Sequence, residues 1–372
     1  MHKNTTFYQN KWGVIVKLTY LEYLFLDIFS TIEPRKINSL YHILTGKRTI
    51  SVMLQTLRYR LTAYFAVFPK LNLTNFQERI FYFLKLGLLL EVEDNYLLTE
   101  KGKKTLEDFF LTHIRNENIY QMNYCAVLPI FKRRLLFLIQ VLSESAHENN
   151  QYFPIQSRVS EQVWLKQFIR TTGIEKKVLS QQFGKELFLL LEKTPAINQE
   201  LFVHQLEGNN KIRQTSGQVA LEVGWEETEV IIKWQQDWLQ IITYLVKNNT
   251  DLPIIAKIFQ EIVENGGLCS KSTEESYFLW SSGKSLAEIA TIRRLKISTI
   301  NDHISEMAIM YPSFPFEKIL SPEQVQYVEQ RTKSNKPIHY EEIQEKFPEL
   351  AFFENRLMQI MGEVDNLWSN KN

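Results

Sequence analysis

The residues with the most suggestive chemistry surround a predicted tight turn near position 294. Arg293, Arg294 and Lys296 are cationic side chains of the kind that bind phosphate groups. Asn301 follows on the next predicted helix, where its amide can pair with adenine in the major groove of DNA. Further polar candidates on this helix are Ser298, Thr299 and His303. Residues 275–310 contain four basic and four acidic side chains, so DNA contact at this motif stays open, and sequence-specific reading is the less favoured form of it.

A second set of cationic side chains lies in the first third of the chain. Arg58 and Arg60 lie in the middle of a predicted helix over Ile50–Val67, and Lys101, Lys103 and Lys104 open another helix capped by Thr99. These five residues are candidate phosphate ligands. It is equally open that this part of the chain has a structural role, for example in forming a dimer, and does not contact DNA.

Patterns typical of enzymes are absent from the sequence. Gly283-Lys284-Ser285 has the end of a phosphate-binding loop, but position 278 is Phe where such a loop needs Gly. No HExxH, GxSxG or zinc-binding Cys/His spacing occurs. Acidic residues at Glu341, Glu342, Glu345 and Glu349 are predicted to form a solvated helix face. We therefore expect no catalytic residues, no metal and no cofactor.

The elements that position the N-terminal candidates are mainly helices. A first helix is predicted over Val14–Ser30, and Thr74 with Gln77 is predicted to cap a later one. Short strands at Leu88–Val92 and Tyr96–Leu98 flank the turn-forming Glu93-Asp94-Asn95. The order helix, β-hairpin, helix predicts a winged-helix-like domain over residues 1–114.

A helical bundle is predicted over residues 115–265, with a possible internal helix-turn-helix. Ala220, Gly224 and Val230 have the required spacing of a small residue, a turn glycine and an apolar anchor. The second helix of this motif opens with Glu226, Glu227 and Glu229, which would repel a phosphate backbone. A scaffold or protein-contact role is therefore the favoured interpretation.

Residues 266–372 contain the clearest motif of the chain. After a predicted linker around Gly266–Thr273, Ser285 and Glu288 form a capping-box pattern at the start of a helix. A turn at Arg293–Ile297 and a second helix from Ser298 follow, with Ile300 and Ile304 on its apolar face. The fold class is accordingly mainly α, with one hairpin and a C-terminal helix-turn-helix domain.

Local residues in this motif resemble a known family. Leu286-Ala287-Glu288-Ile289-Ala290, Arg293, Leu295-Lys296, Ser298-Thr299-Ile300 and His303-Ile304 are similar to a helix-turn-helix domain that also closes some bacterial RecQ-type DNA helicases. With the stretch Leu40–Arg48, the layout resembles the YpbB family of Gram-positive bacteria. The family's turn usually holds Gly where this chain has Arg294, so a positive φ there would cost about 1 kcal/mol.

The resemblance implies a bacterial accessory protein that works with a RecQ-type helicase in DNA repair or recombination and is not itself a helicase. Its DNA binding is expected to be weak or non-specific. A transcriptional regulator that reads a defined operator is the alternative. Two isolated cysteines and the lack of a targeting or spanning segment predict a cytoplasmic location.

Charge along the chain fits the accessory-protein interpretation. The 372 residues predict two or three domains, and 43 basic side chains nearly balance 42 acidic ones. Residues 1–114 have 15 basic and 10 acidic side chains, whereas residues 251–372 have 13 and 18. This difference predicts phosphate contacts in the first part and protein partners for the last, although ordinary scatter would give the same numbers.

Overall fold

Helices dominate the computed structural model, because few glycines and prolines interrupt the apolar periodicity. The structure describes residues 8–9, 15–248, 250–311, 313–333 and 337–369. Its strands are β1 Tyr8–Gln9, β2 Ile15–Val16, β3 Leu89–Val92 and β4 Asn95–Leu98. Its first ten helices are α1 Tyr20–Asp27, α2 Ile37–Thr45, α3 Ile50–Arg58, α4 Leu73–Lys85, α5 Glu100–Phe110, α6 Gln121–Tyr124, α7 Leu128–Ala146, α8 Val159–Thr172, α9 Lys176–Lys193 and α10 Gln199–Val203. The others are α11 Ser216–Val223, α12 Glu227–Lys247, α13 Pro253–Gly266, α14 Lys271–Ser281, α15 Leu286–Arg293, α16 Ile297–Met310, α17 Pro322–Thr332, α18 Tyr340–Lys346 and α19 Phe352–Ser369.

The mainly helical class is confirmed, and so is the hairpin near residue 94. Strands β3 and β4 pair antiparallel, with Leu89 opposite Leu98 and Val92 opposite Asn95. The two turn residues, Glu93 and Asp94, have φ values of 50° and 60°, which is the backbone of a tight two-residue hairpin. Helices α4 and α5 flank this hairpin, but its assignment to the winged-helix class stays a prediction.

Several predicted helix boundaries are wrong. The first helix starts at Tyr20, because Thr19 and Glu22 form a reciprocal capping box there; the predicted start at Val14 lies outside the described residues. The third helix ends at Arg58, since Arg60 adopts a positive φ of 55° that breaks the helical path. Asn72, not Thr74, caps α4 by accepting a hydrogen bond from the Asn75 N–H.

Backbone contacts divide the chain into two compact units that do not follow the order of residues. The first unit comprises Met1–Ile37, Asn72–Tyr120 and Tyr124–Asn265. The second unit comprises Asn38–Leu71, Gln121–Asn123 and Gly266–Asn372. Residues 38–71 therefore belong with the C-terminal region rather than with the hairpin, while the division into three domains stays a prediction.

Aromatic side chains fill the core of the first unit. Tyr23 of α1 stacks on Phe109 of α5 with 3.5 Å between ring centroids. In the bundle, Trp238 is fully buried and contacts Phe131 of α7. These contacts show that Trp238 of α12 serves packing.

The second unit packs α14, α15 and α16 with α3 and α19. Ile300, Ile304 and Met307 of α16 are fully buried, and so is Leu357 of α19. Helix α14 starts at Lys271, capped by Ser270, within the segment that the sequence predicts as a linker. The hydroxyl of Ser270 accepts from the Thr273 N–H and so converts the expected linker into a helix start.

Gly46 makes the turn that connects α2 to α3. Its φ is 74°, and a Cβ at this position would lie 2.4 Å from the Cβ of Ala66. We expect Gly46→Ala to lower the free energy of unfolding by about 2–3 kcal/mol, since it combines a left-handed backbone with overpacking. Denaturant unfolding measures this loss. Gly87→Ala, where φ is 69° but no atom lies within 4 Å of the added Cβ, should cost only about 1 kcal/mol.

Candidate nucleic-acid interface

The first helix of the C-terminal motif starts where the sequence predicts, whereas the second starts at Ile297, one residue before the predicted Ser298. Ser285 accepts a hydrogen bond from the Glu288 N–H at 3.3 Å, and the Glu288 carboxylate accepts from the Ser285 N–H at 2.8 Å. The hydrogen bonds that the Ser285 N–H and hydroxyl donate to the Glu288 carboxylate lower the pKa of Glu288, because they stabilise its charged form. The capping box at the start of α15 is therefore confirmed.

The turn between α15 and α16 has a left-handed residue where the family usually holds glycine. Arg294 has φ 54° and ψ 42°, and the following Leu295 N–H donates to the Ala290 carbonyl at 3.0 Å. The backbone thus keeps the helix-turn-helix path with a non-glycine residue, at a cost of about 1 kcal/mol. The Arg294 side chain is exposed.

Replacing Arg294 by glycine should therefore stabilise the turn. We expect Arg294→Gly to raise the free energy of unfolding by up to about 1 kcal/mol, because relief of the left-handed strain outweighs the added freedom of the unfolded chain. Thermal or denaturant unfolding checks this expectation. A clear loss of stability would mean that the Arg294 side chain supports the fold.

Arg293 lies on the same turn, but its side chain faces α14. Its guanidinium donates to the Ser272 carbonyl, to the Ser276 hydroxyl at 2.5 Å and to Glu275 at 2.9 Å. His303 of α16 contacts the same Ser276 hydroxyl through Nδ1 at 2.8 Å. Burial and then the Arg293 charge lower the pKa of His303. Both side chains therefore join α14 to the motif, and their role in DNA contact stays a prediction.

Helix α16 exposes only its first turn and one residue beyond it. From Ile304 to Met310 every residue is buried. Lys296, Ile297 and Ser298 are exposed, whereas Thr299 is half-buried. Asn301 is half-buried too, and its Oδ1 is enclosed without a hydrogen-bond partner. The surface that can meet DNA is therefore the turn and the first residues of α16, next to an exposed Asp302.

An ion pair explains how the early stretch Leu40–Arg48 relates to this motif. The Arg48 guanidinium donates to Glu306 of α16 at 2.6 and 3.1 Å and to the Leu268 carbonyl at 2.8 Å. The other carboxylate oxygen of Glu306 accepts from the buried Thr273 hydroxyl at 2.5 Å. Arg48 therefore joins the turn after α2 to α16 and to the residues just before α14, within the second unit. The sequence missed this role because 258 residues separate the two charges.

The remaining cationic candidates divide between the units. In the first unit, Lys103 and Lys104 are exposed on α5, while Lys101 donates to the Leu86 carbonyl at 2.6 Å. In the second unit, Arg60 is exposed and Arg58 donates to the Ile338 carbonyl at 3.1 Å. The five residues thus do not form one basic surface of a single unit, and their phosphate contacts stay a prediction.

The internal motif of the first unit has the same turn as the C-terminal one. Gly224 is left-handed with φ 67°, and the Trp225 N–H donates to the Ala220 carbonyl at 3.0 Å. Val230 is fully buried in the core beside Ala220, as the spacing predicts. The helix-turn-helix geometry predicted around Gly224 is therefore present.

The carboxylates of this internal motif make contacts within the first unit, although Glu227 is exposed. Glu226 accepts from the Tyr20 N–H at 3.0 Å, and Glu227 accepts from the Ser216 hydroxyl at 2.6 Å. Glu229 is buried, with His113 Nδ1 at 3.0 Å. These contacts fix the start of α12 in place, while the exposed Glu227 still presents a negative charge that disfavours a phosphate backbone.

Two general properties follow from the described part of the chain. None of its helices is both long and apolar enough to cross a membrane. Within the same residues, no group of three or more His, Cys, Asp or Glu side chains could hold a metal ion.

Comparisons with known proteins agree with this geometry. A family model described as a helix-turn-helix domain matches residues 272–359, which run from α14 into α19. The chain is 24% identical over 333 residues to Protein YpbB of Bacillus subtilis, covering 86% of this chain and 92% of that protein. No solved structure matches the chain significantly. The helix-turn-helix domain supports DNA binding. The chain is therefore similar to Protein YpbB over most of its length and contains a C-terminal helix-turn-helix domain, as its sequence predicts.

Proposed function

We propose that this protein is a non-enzymatic, cytoplasmic accessory protein of a RecQ-type DNA helicase in DNA repair or recombination. In this proposal it contacts DNA phosphates without reading a defined sequence and binds the helicase through a separate surface. The two activities have different support.

The exposed surface of the C-terminal motif is the observation that best supports phosphate contact. Arg294 and Lys296 are exposed on either side of Leu295, at the start of α16. Backbone N–H groups of a helix start and cationic side chains together favour phosphate oxygens. Lys103 and Lys104 on α5 offer further contacts in the first unit. Such contacts fix a protein on DNA but do not distinguish sequences.

The partnership with a helicase rests on sequence resemblance. Residues 286–304 resemble the helix-turn-helix domain that closes some RecQ-type helicases, and the chain is similar to YpbB over most of its length. The acidic excess of residues 251–372 supports a protein partner rather than a nucleic acid for the rest of this region.

Co-purification tests the partnership directly. A tagged form of the protein should retain a RecQ-type helicase from the same cell, and the purified pair should bind or unwind forked DNA differently from the helicase alone. Arg294→Glu serves as a matched variant, because it should weaken DNA contact without changing helicase retention. Absence of association together with unaltered helicase activity would contradict the proposal.

A sequence-specific transcriptional regulator is less well supported. Asn301 is the residue best suited to pair with a base, but its Oδ1 is enclosed, and the later residues of α16 are buried. Direct readout requires side chains that reach base edges in the groove. Binding selection should therefore return no common palindrome. Recovery of one, with binding lost in Asn301→Ala, would favour the regulator.

A further inference from the structure

A cavity in the second unit contains two arginines and is separate from the helix-turn-helix surface described above. Its volume is about 480 Å³, within the size range of small-molecule sites. Helix α3 lines it with Ser51, Gln55 and Arg58, and α19 lines it with Phe352 and Arg356. The cavity therefore combines cations, hydrogen-bonding side chains and an aromatic ring.

The two arginines are incompletely satisfied by the protein. The Nε atoms of Arg58 and Arg356 are both buried without a hydrogen-bond partner. Glu363 lies 3.6 Å from Arg58 Nε, so this guanidinium has a nearby carboxylate. For Arg356, no carboxylate of the described residues lies within ion-pair distance. Because these Nε atoms are enclosed, an anion in the cavity would act on the two guanidinium charges electrostatically rather than bond to Nε.

Electrostatics also favour an anion beside Arg356. Burial lowers the pKa of Arg356, and the charge of the nearby Arg58 lowers it further, while Asp302 acts in the opposite direction. Glu341 is exposed at the edge of the cavity. Two cations that face one cavity match the two negative charges of a phosphate monoester. Arginine binds the oxygens of such a group in a bidentate manner.

The exposed Phe352 ring indicates that the ligand also has a flat aromatic group. The Arg356 guanidinium lies 5.1 Å from the centre of the Phe352 ring, and Tyr340 lies 5.9 Å from the same ring. Phe352 is 61% exposed, which is unusual for a large apolar side chain. Nucleic-acid bases stack on such rings.

We infer that this cavity binds a nucleotide, with the phosphate between Arg58 and Arg356 and the base on the exposed Phe352 ring. The ligand is either a free mononucleotide or the phosphorylated end of a DNA strand, since both present the same groups. The inference concerns binding and includes no reaction. The inference does not depend on the proposed helicase partnership.

Calorimetric titration of the full chain with dAMP, deoxyadenosine and orthophosphate tests the site. We expect dAMP to bind more tightly than either fragment, and Arg356→Met to weaken dAMP at least about tenfold because hydrogen bonds to a charged group are lost. Phe352→Ala should weaken dAMP but leave orthophosphate unchanged. Equal affinity of wild-type protein for dAMP and deoxyadenosine would overturn the inference.

The thermal midpoint provides a second test, because replacing an arginine with a purely structural role would lower it. Arg356→Met should leave the thermal midpoint unchanged or higher, because it removes one of two neighbouring buried charges; a large decrease would overturn the inference. Arg331→Met, in the same unit but outside the cavity lining, is the matched control and should bind dAMP normally.

A competition experiment distinguishes the two sources of the ligand. If 5′-phosphorylated oligonucleotides displace dAMP and 5′-hydroxyl oligonucleotides do not, the ligand is the end of a DNA strand. If neither displaces dAMP, the ligand is a free nucleotide.

Discussion

Replacing Arg48 with methionine is expected to lower the free energy of unfolding by about 3–5 kcal/mol, since it leaves the Glu306 carboxylate buried without its cation. The Glu306 side chain is only 10% exposed, and its Thr273 contact is a neutral hydroxyl. Methionine keeps most of the apolar stem of arginine, so the loss reports the charge and its hydrogen bonds. Denaturant unfolding followed by tryptophan fluorescence measures it.

Two controls distinguish this ion pair from an ordinary surface contact. Lys284→Met removes the cation of the exposed Lys284–Glu288 pair and should cost about 0.5 kcal/mol or less. The double substitution Arg48→Met with Glu306→Met should recover much of the loss, because neither charge then stays unpaired. If Arg48→Met costs no more than Lys284→Met, the Arg48–Glu306 pair stabilises the fold no more than an exposed ion pair does.

Reversing the two exposed charges of the turn should weaken DNA binding strongly. We expect Arg294→Glu with Lys296→Glu to lower the affinity for duplex DNA at least about hundredfold near 0.1 M salt, because two phosphate contacts become repulsions. Unfolding should change little, since both side chains are exposed. Fluorescence anisotropy with a labelled duplex measures the change.

Acidic substitutions away from the turn provide the matched comparison. Lys318→Glu with Lys333→Glu introduces the same charge change at two other exposed positions of the second unit. A general effect of net charge would lower affinity equally in both double variants. The proposed interface requires that the turn variant lose far more.

The features that the sequence predicts well are those that depend on a few neighbouring residues. The Ser285–Glu288 capping box, the hairpin turn at Glu93 and the left-handed Arg294 all arise from hydrogen bonds or steric limits within about five residues. Local chemistry determines such features, so the fold class and the helix-turn-helix geometry could be predicted.

Side-chain direction could not be predicted in the same way. Arg293 and Arg294 are adjacent and look equivalent in the sequence, but one faces α14 and the other is exposed. Glu226 and Glu229 suggest an acidic surface, but donors from distant residues satisfy both. These outcomes depend on tertiary contacts between residues that are far apart in the chain.

The association of residues 38–71 with the C-terminal region has the same explanation. Arg48 pairs with Glu306, and Arg58 reaches the Ile338 carbonyl, across more than two hundred positions. No local sequence pattern predicts either contact. The sequence singled out Arg58 as a phosphate ligand, but the cavity that it lines with Arg356 required the folded structure.

The claim that this protein contacts DNA phosphates at the turn of its C-terminal motif is tested most directly by salt dependence. Binding to two unrelated 5′-hydroxyl duplexes should be measured across salt concentrations for wild-type protein and Arg294→Gly. We predict equal affinity for both sequences. The slope of log K against log salt concentration should be about −1.8 or steeper for the wild-type protein, and its magnitude should be about 0.9 smaller for the variant. A slope near zero, or an unchanged slope in the variant, would contradict the claim.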